Sequence, residues 1–379
     1  IQFRCFMNEK NWPSHLYSLD FSRGIAALSV VLWHWQHFAY IRVGESFEFI
    51  KESQPLYGIF RIFYDAGAMG VQYFFVISGF IFFWLYADQV NKRAISGWKF
   101  SVHRFSRLYP LHFVTLLIVA ILQIVYVSRE NSAFIYQYND AYHFVLNLFY
   151  ATRWGLESGH SFNASVWSVS VEILLYFIFF FTLLFRKGGW FFCLFISFVS
   201  LVISRITDNV ILGGLSLFFL GGTVYYLTKF IAIQDHKFTV GIYTATVVCW
   251  CIVIADFYVF DFSSSIVSLG LVGKIILRGF SFYILFPLTI CSLALAEIYN
   301  GALFKPLSWI GDISYSSYLI HFPLQLVFAL AVSYGLLSEV FYLSTVYLML
   351  FFVILIPVSY FTFLKFERPA QRFLRNKLL

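Results

Sequence analysis

Arg23 and His34 stand eleven positions apart in one apolar stretch that begins at Leu19. In an α-helix, eleven steps of about 100° bring two side chains back to within about 20° of each other, roughly 16 Å apart along the axis. A cation and an imidazole on one helix face are costly inside hydrocarbon, and ionisable groups kept there point to function. An imidazole can act as general base on a hydroxyl or as a nucleophile that carries a group. Asp20 lies three residues before Arg23, the spacing of an ion pair on one helix face. Asp20 and Arg23 therefore read equally well as a pair at the membrane edge, with Arg23 snorkelling. His34 fits that explanation poorly, although a neutral histidine satisfied by one neighbour stays open.

Four further groups accompany this pair. Trp167-Ser-Val-Ser-Val-Glu172 places a carboxylate about two turns into an apolar run. At a depth similar to that of His34, Glu172 could orient the imidazole and stabilise its charged form if the two helices pack together. It could equally bond a hydroxyl, and Ser168 stands four residues before it. Arg104 and Arg107 form a fork on one helix face, suited to bidentate phosphate binding. Ordinary positive flanking of a span explains the same residues. Gly67 to Phe80 contains small residues that favour close helix packing, with Ser78 a candidate lining of a polar path. Ser170 and Ser78 are weaker candidates for polarising a carbonyl oxygen. His321 precedes Pro323 by two residues, either as a functional group or as a partner for the carbonyl that the proline frees. No GxSxG elbow occurs, which argues against a hydrolase-type serine acyl-enzyme.

The elements that must position these groups are membrane spans. Of 379 residues, 60% are hydrophobic and 12% charged, against about 25% charged in soluble domains. Mean hydropathy is +0.77. The pattern predicts an all-α bundle of ten transmembrane helices, at 19–39, 68–88, 106–127, 166–185, 188–204, 210–228, 238–256, 275–298, 309–334 and 340–364. Residues 143–151 are apolar but too short to span, and read as a re-entrant or interfacial piece. With both termini cytoplasmic, the inner segments hold roughly twice as many Lys and Arg as the outer ones, as the positive-inside rule expects. Arg4, Lys10, Lys92, Arg93, Lys99, Arg186, Lys187 and the basic tail 371–379 fall inside.

The long outer segments 40–67 and 128–165, counted together with His37 three residues before the first, hold His37, Glu45, Glu48, Lys51, Glu52, Asp65, Asp140, His143, Glu157 and His160. They are either a substrate-binding face or solvated linkers. The net charge of +7 lies mostly beside apolar runs and does not imply nucleic acid. Cys5, Cys193, Cys249, Cys251 and Cys291 show no metal spacing and read as small buried residues. No cleavable signal peptide is expected, the first span directing insertion.

Taken together, these stretches resemble acyltransferase family 3 of integral membrane O-acyltransferases. The resemblance rests on Arg23 and His34 with ten residues between them, Phe74 to Phe80 (FFVxSGF), and Arg104 with Arg107 (RxxR). Trp167 to Glu172 (WSxxxE), Ser314 to Pro323 (SYSxYLxHxP) and the closing Glu367-Arg-Pro369 complete it. It implies one acyltransferase domain over 1–370 in a multi-pass protein of a bacterial inner membrane. It implies transfer of an acyl group, usually acetyl from acetyl-CoA, to a hydroxyl of an envelope glycan or glycolipid such as an O-antigen or exopolysaccharide. Acyl-CoA is then a substrate rather than a resident cofactor. In that scheme His34 is the general base, Glu172 and Arg23 assist it, and Arg104 and Arg107 hold the CoA phosphates. Asp20, Ser78, Trp167, Ser170 and His321 support the substrates. From the residues alone, a transporter or flippase for an acyl donor or a lipid-linked glycan is the competing reading.

Overall fold

The computed structural model describes residues 12–40, 49–185, 188–234 and 236–379. Arg4, Cys5, Lys10, Arg42, Glu45, Glu48, Arg186 and Lys187 lie outside the described residues. Among the described residues sixteen α-helices follow one another: α1 (Tyr17–Trp33), α2 (Tyr57–Ala66), α3 (Gly70–Asn91), α4 (Gly97–Glu130), α5 (Ala141–Leu148) and α6 (Trp167–Phe185). Then come α7 (Trp190–Thr207), α8 (Val210–Ala232), α9 (His236–Ala255), α10 (Phe262–Val267), α11 (Leu271–Phe280) and α12 (Phe286–Asn300). The chain closes with α13 (Trp309–Asp312), α14 (Ser314–Ser333), α15 (Thr345–Thr362) and α16 (Arg368–Leu378). No strand occurs among the described residues.

Nine helical stretches among the described residues are long and apolar enough to cross a membrane. The first of the ten expected spans takes a different form. Its α-helix ends at Trp33 after 17 residues, and His34–Tyr40 continues as a 3-10 helix. Helical structure also begins earlier than expected before α3, since α2 and a short 3-10 turn run into it from Tyr57. Short π-helical segments interrupt two of the long stretches, at Ser281–Leu285 and Phe363–Glu367, and a third ends its stretch at Asp256–Phe260.

The chain divides into two compact units. Unit 1 comprises residues 1–26, 69–93 and 181–312, and unit 2 comprises 27–68, 94–180 and 313–379. In unit 1, α3 and α8 touch backbone to backbone. A Cβ at Gly79 would stand 1.8 Å from the Phe218 carbonyl oxygen, and one at Gly221 would stand 2.0 Å from that of Val76. Two glycines facing each other's helices permit this approach, the small-residue packing expected for this stretch. In α9, Val247, Val248, Ile252 and Ile254 are exposed, as suits a helix facing lipid. Cys193 and Cys291 are buried, but Cys249 is half-buried and Cys251 exposed. That corrects the expectation of burial for the α9 pair: an apolar span can present its small residues to lipid as readily as to a core.

Unit 2 is built on a cluster of large side chains, with Trp35, Phe38, Phe134, Phe322 and Phe351 fully enclosed. Trp35 Nε1 donates to the Tyr342 carbonyl at 2.9 Å. Gln123, buried in α4, bonds both the N–H and the C=O of Phe134 at 3.0 Å. This gives a buried loop residue the partners that an irregular backbone lacks.

Candidate active site

His34 opens the 3-10 helix of unit 2 and is buried. Its ring stacks on that of His321 at 4.9 Å between centroids and 21° between planes. His34 Nδ1 lies 3.2 Å from His321 Nε2. A hydrogen bond between two imidazoles needs one nitrogen protonated and the other bare. His321 is fully enclosed on α14, and its Nε2 is also 3.3 Å from Ser165 Oγ.

Gln325 holds the turn that carries His34. Its Nε2 donates to the His34 carbonyl at 2.8 Å, and its Oε1 faces His37 Nδ1 at 3.0 Å. Only the amide NH2 can serve a carbonyl, so Oε1 is left to accept. His37 therefore carries its proton on Nδ1, and its Nε2 can accept from the Tyr136 hydroxyl, 3.4 Å away. Burial holds the Tyr136 phenol above its ordinary range, with the charge of Tyr318 acting in the same direction. His37, expected at the edge of an outer loop, is instead a core residue.

The carbonyl that Pro323 frees belongs to Leu319, four residues earlier. Asn163 Nδ2 donates to it at 2.8 Å, so His321 does not carry that task. Asn163 ends the 131–163 segment, which other bonds fasten to the same unit. Asp140 caps α5, accepting from the His143 N–H at 2.9 Å and meeting the His143 ring Nδ1 at 2.9 Å. The backbone bond, and then the ring, lower the Asp140 carboxyl. Trp154 Nε1 donates to the Ser170 carbonyl at 3.1 Å. Residues 143–151 thus contribute a short helix, α5, followed by a turn.

A second cluster of unit 2 gathers around Glu172. Tyr176, one turn further along α6, donates a hydrogen bond to its carboxylate. The Arg104 guanidinium sits 5.9 Å from the centroid of the Tyr176 ring, and Arg107 acts electrostatically on the same tyrosine. Glu172 also acts on Tyr150, Tyr315 and Tyr318. The Tyr318 hydroxyl donates to the Ser165 carbonyl at 2.9 Å and meets Ser168 Oγ at 2.9 Å. Ser168 is thereby engaged with α14, and not only with its own helix. Tyr318 and Ser165 connect the two clusters, because Ser165 also faces His321. His321, His37, Gln325 and the Trp33 ring lie beside His34, and Glu172 acts on Tyr318, which bonds the Ser165 that faces His321.

Trp167 begins α6 and is half-buried. Ser170 is fully buried, and its hydroxyl has no hydrogen-bond partner among the described residues. In unit 1, Arg23 pairs with Asp20 at 3.0 Å and donates to the Gly311 carbonyl at 2.9 Å. A Cβ at Gly311 would stand 2.0 Å from the Asp20 carbonyl, so this contact also needs a glycine. His15 bonds Asp20 at 2.5 Å, and that bond raises its pKa. Ser78 is half-buried on α3 of unit 1, beside Gly79.

Gln325, Tyr136, Ser165 and Tyr176 escaped the sequence reading, and His37 entered it only as a residue at the edge of an outer loop. Three of them had a signal. His37 stands three residues after His34, Gln325 four after His321 and Tyr176 four after Glu172, each a polar neighbour at helical spacing in an apolar run.

Ionisable groups kept inside the apolar helices of a multi-pass protein point to function without saying which. The protein's class follows from comparison: a family model for an acyltransferase domain matches residues 16–364. The chain belongs to this acyltransferase family 3 and is a membrane acyltransferase. No curated protein and no solved structure matches it significantly.

Proposed function

We propose that the protein moves an acyl group, most simply acetyl, from acyl-CoA to a hydroxyl of a glycan or glycolipid at the outer face of a bacterial inner membrane. The observation that carries this reading is the buried His34–His321 pair at 3.2 Å. With Nδ1 engaged by His321, the His34 Nε2 is the nitrogen free to act as base. That requires Nδ1–H on His34 and a bare Nε2 on His321. His321 thus fixes the reactive tautomer, the role a carboxylate plays in a hydrolase triad.

His34 Nε2 removes the acceptor proton as the hydroxyl oxygen attacks the thioester carbonyl carbon. The C–S bond breaks, and the same proton passes from His34 to the leaving thiolate. The products are an ester and free CoA, with no net proton change. Arg104 and Arg107 bind the donor phosphates through bidentate bonds. Glu172, through Tyr176, adjusts the charge beside that fork. Arg23, tied down by Asp20, sets the first helix, and Ser78, Ser170 and Trp167 support the substrates. Both termini lie in the cytoplasm in this reading, where the donor is supplied.

The test uses protein in nanodiscs with radiolabelled acetyl-CoA and a panel of envelope glycans. Wild type transfers label, and His34→Ala loses about 10²–10⁴-fold in rate while its melting temperature stays near wild type. A panel left unlabelled by wild type, or full activity in His34→Ala, would overturn the scheme. Movement of an unmodified glycolipid across the bilayer would favour a flippase.

A further inference from the structure

Three consecutive elements, α15, the π-helical turn Phe363–Glu367 and α16, form one helical stretch of 34 residues, Thr345–Leu378. At about 1.5 Å per residue it is about 50 Å long, against a hydrocarbon core of about 30 Å that about twenty residues cross. The rest must stand beyond the acyl chains, and the sequence marks where. No Asp, Glu, Lys or Arg occurs from Val340 to Leu364, and Lys365 is the first charge after that run. A crossing that begins at Thr345 therefore brings Lys365 to the edge of the hydrocarbon, with Arg368 and Arg372 within about 10 Å beyond it. A headgroup layer is about 5–8 Å deep, and long basic side chains bend to reach it from either side.

One side of this stretch packs into unit 2. Leu348, Phe351 and Leu355 are buried, and Glu367 continues that side, accepting from Ser316 Oγ of α14 at 2.7 Å. Arg375 likewise turns inward, donating to Ser106 Oγ at 3.2 Å and to the His103 carbonyl at 3.4 Å, both on α4. The other side is exposed along its length. Leu350, Val353 and Phe361 recur on it at helical spacing, followed by Lys365, Arg368 and Arg372. The face that meets acyl chains inside the membrane thus becomes cationic where the helix leaves it. Among the described residues no carboxylate pairs with Lys365, Arg368 or Arg372. The acid of this stretch, Glu367, is turned to the buried side, and the Arg368 guanidinium lies 4.7 Å from the centroid of the Phe363 ring.

Phosphate is the anion present at that depth of a bilayer. A row of cations with no acid beside it favours headgroups of net negative charge, because a zwitterionic headgroup carries its own cation. We propose that Lys365, Arg368 and Arg372 form a binding site for the phosphate headgroup of an anionic phospholipid, in the leaflet where α15 ends. The planar donor forks of Arg368 and Arg372 suit phosphate oxygens. The acyl chains of that lipid lie along the apolar face, from Phe361 back to Leu350. This site stands apart from the transfer chemistry above, and the two readings fail independently.

The test counts lipids retained by the full chain in native mass spectrometry, from micelles doped equally with phosphatidylglycerol and phosphatidylcholine. Wild type retains phosphatidylglycerol in preference. Each of Lys365→Gln, Arg368→Gln and Arg372→Gln lowers that preference roughly fivefold, and the three together abolish it. The single variants decide the matter if the triple variant folds poorly. Equal retention of both lipids by wild type overturns the site, as does an undiminished preference in all three single variants. So does an equal loss when Lys92→Gln and Arg93→Gln remove two exposed cations elsewhere, which marks attraction by net charge alone. Displacement of phosphatidylglycerol by inorganic phosphate or CoA at equal concentration also overturns it, assigning the row to a soluble ligand.

Discussion

At the scale of single residues, the site depends on amides and hydroxyls placed around imidazoles. Gln325 serves two buried groups at once, the His34 carbonyl and the His37 Nδ1–H. Gln325→Leu leaves both unpaired, and each orphaned buried group costs about 1–3 kcal/mol. The expected result is a lower melting temperature and a reduced kcat, read by thermal unfolding in detergent and by the transfer assay. Gln325→Glu keeps an acceptor for His37 but no donor for the carbonyl, so it should fall between wild type and Leu. His34, Glu172, Arg104, Arg107 and His321 were legible from residue type, since ionisable groups in apolar runs are rare. Their partners were not, because Ser165, Asn163 and Tyr136 are ordinary residues until a fold sets them against something.

At the scale of elements, glycine pairs and one asparagine decide how helices meet. Gly79→Ala drives a methyl group into the Phe218 carbonyl at 1.8 Å, so α3 and α8 must separate. Overpacking of this kind typically costs about 1–3 kcal/mol. Loss of the monodisperse peak in fluorescence-detected size exclusion, or a marked drop in melting temperature, is the expected reading. Asn163→Ala removes the partner of the carbonyl that Pro323 frees, and a destabilisation of about 1–3 kcal/mol follows. The small-residue stretch signalled close packing in the sequence. Which helix it packs on was invisible, because α8 lies more than a hundred residues away. The end of the first α-helix at Trp33 was equally hidden. Periodicity does not distinguish α-helix from a short 3-10 continuation, and Gln325 favours the latter by bonding the His34 carbonyl.

At the scale of the whole molecule, the spans, their order and the family followed from hydropathy and motif spacing. The positive-inside bias makes a further prediction. Cysteines introduced at Ala94 and Gly155, on either side of the single helix α4, should label from opposite faces of the membrane, with Ala94 cytoplasmic. Labelling from one face would remove the basis for a cytoplasmic donor. The division into two compact units had no counterpart in the sequence, because each unit is assembled from three separate stretches of chain.

The sequence by itself determined a bundle of apolar helices, the histidine, glutamate and arginine types set into them, and the membership those motifs carry. These are local properties, written in hydropathy and in spacings of three, four and eleven residues. The tertiary structure alone decided that His34 meets His321 across 287 positions, that Gln325 links His34 to His37, and that Arg375 bonds Ser106 and the His103 carbonyl. Such pairings depend on which helix faces pack together and on which buried donor finds which acceptor. A burial pattern leaves both undetermined, because many arrangements bury the same apolar area and few satisfy every polar group.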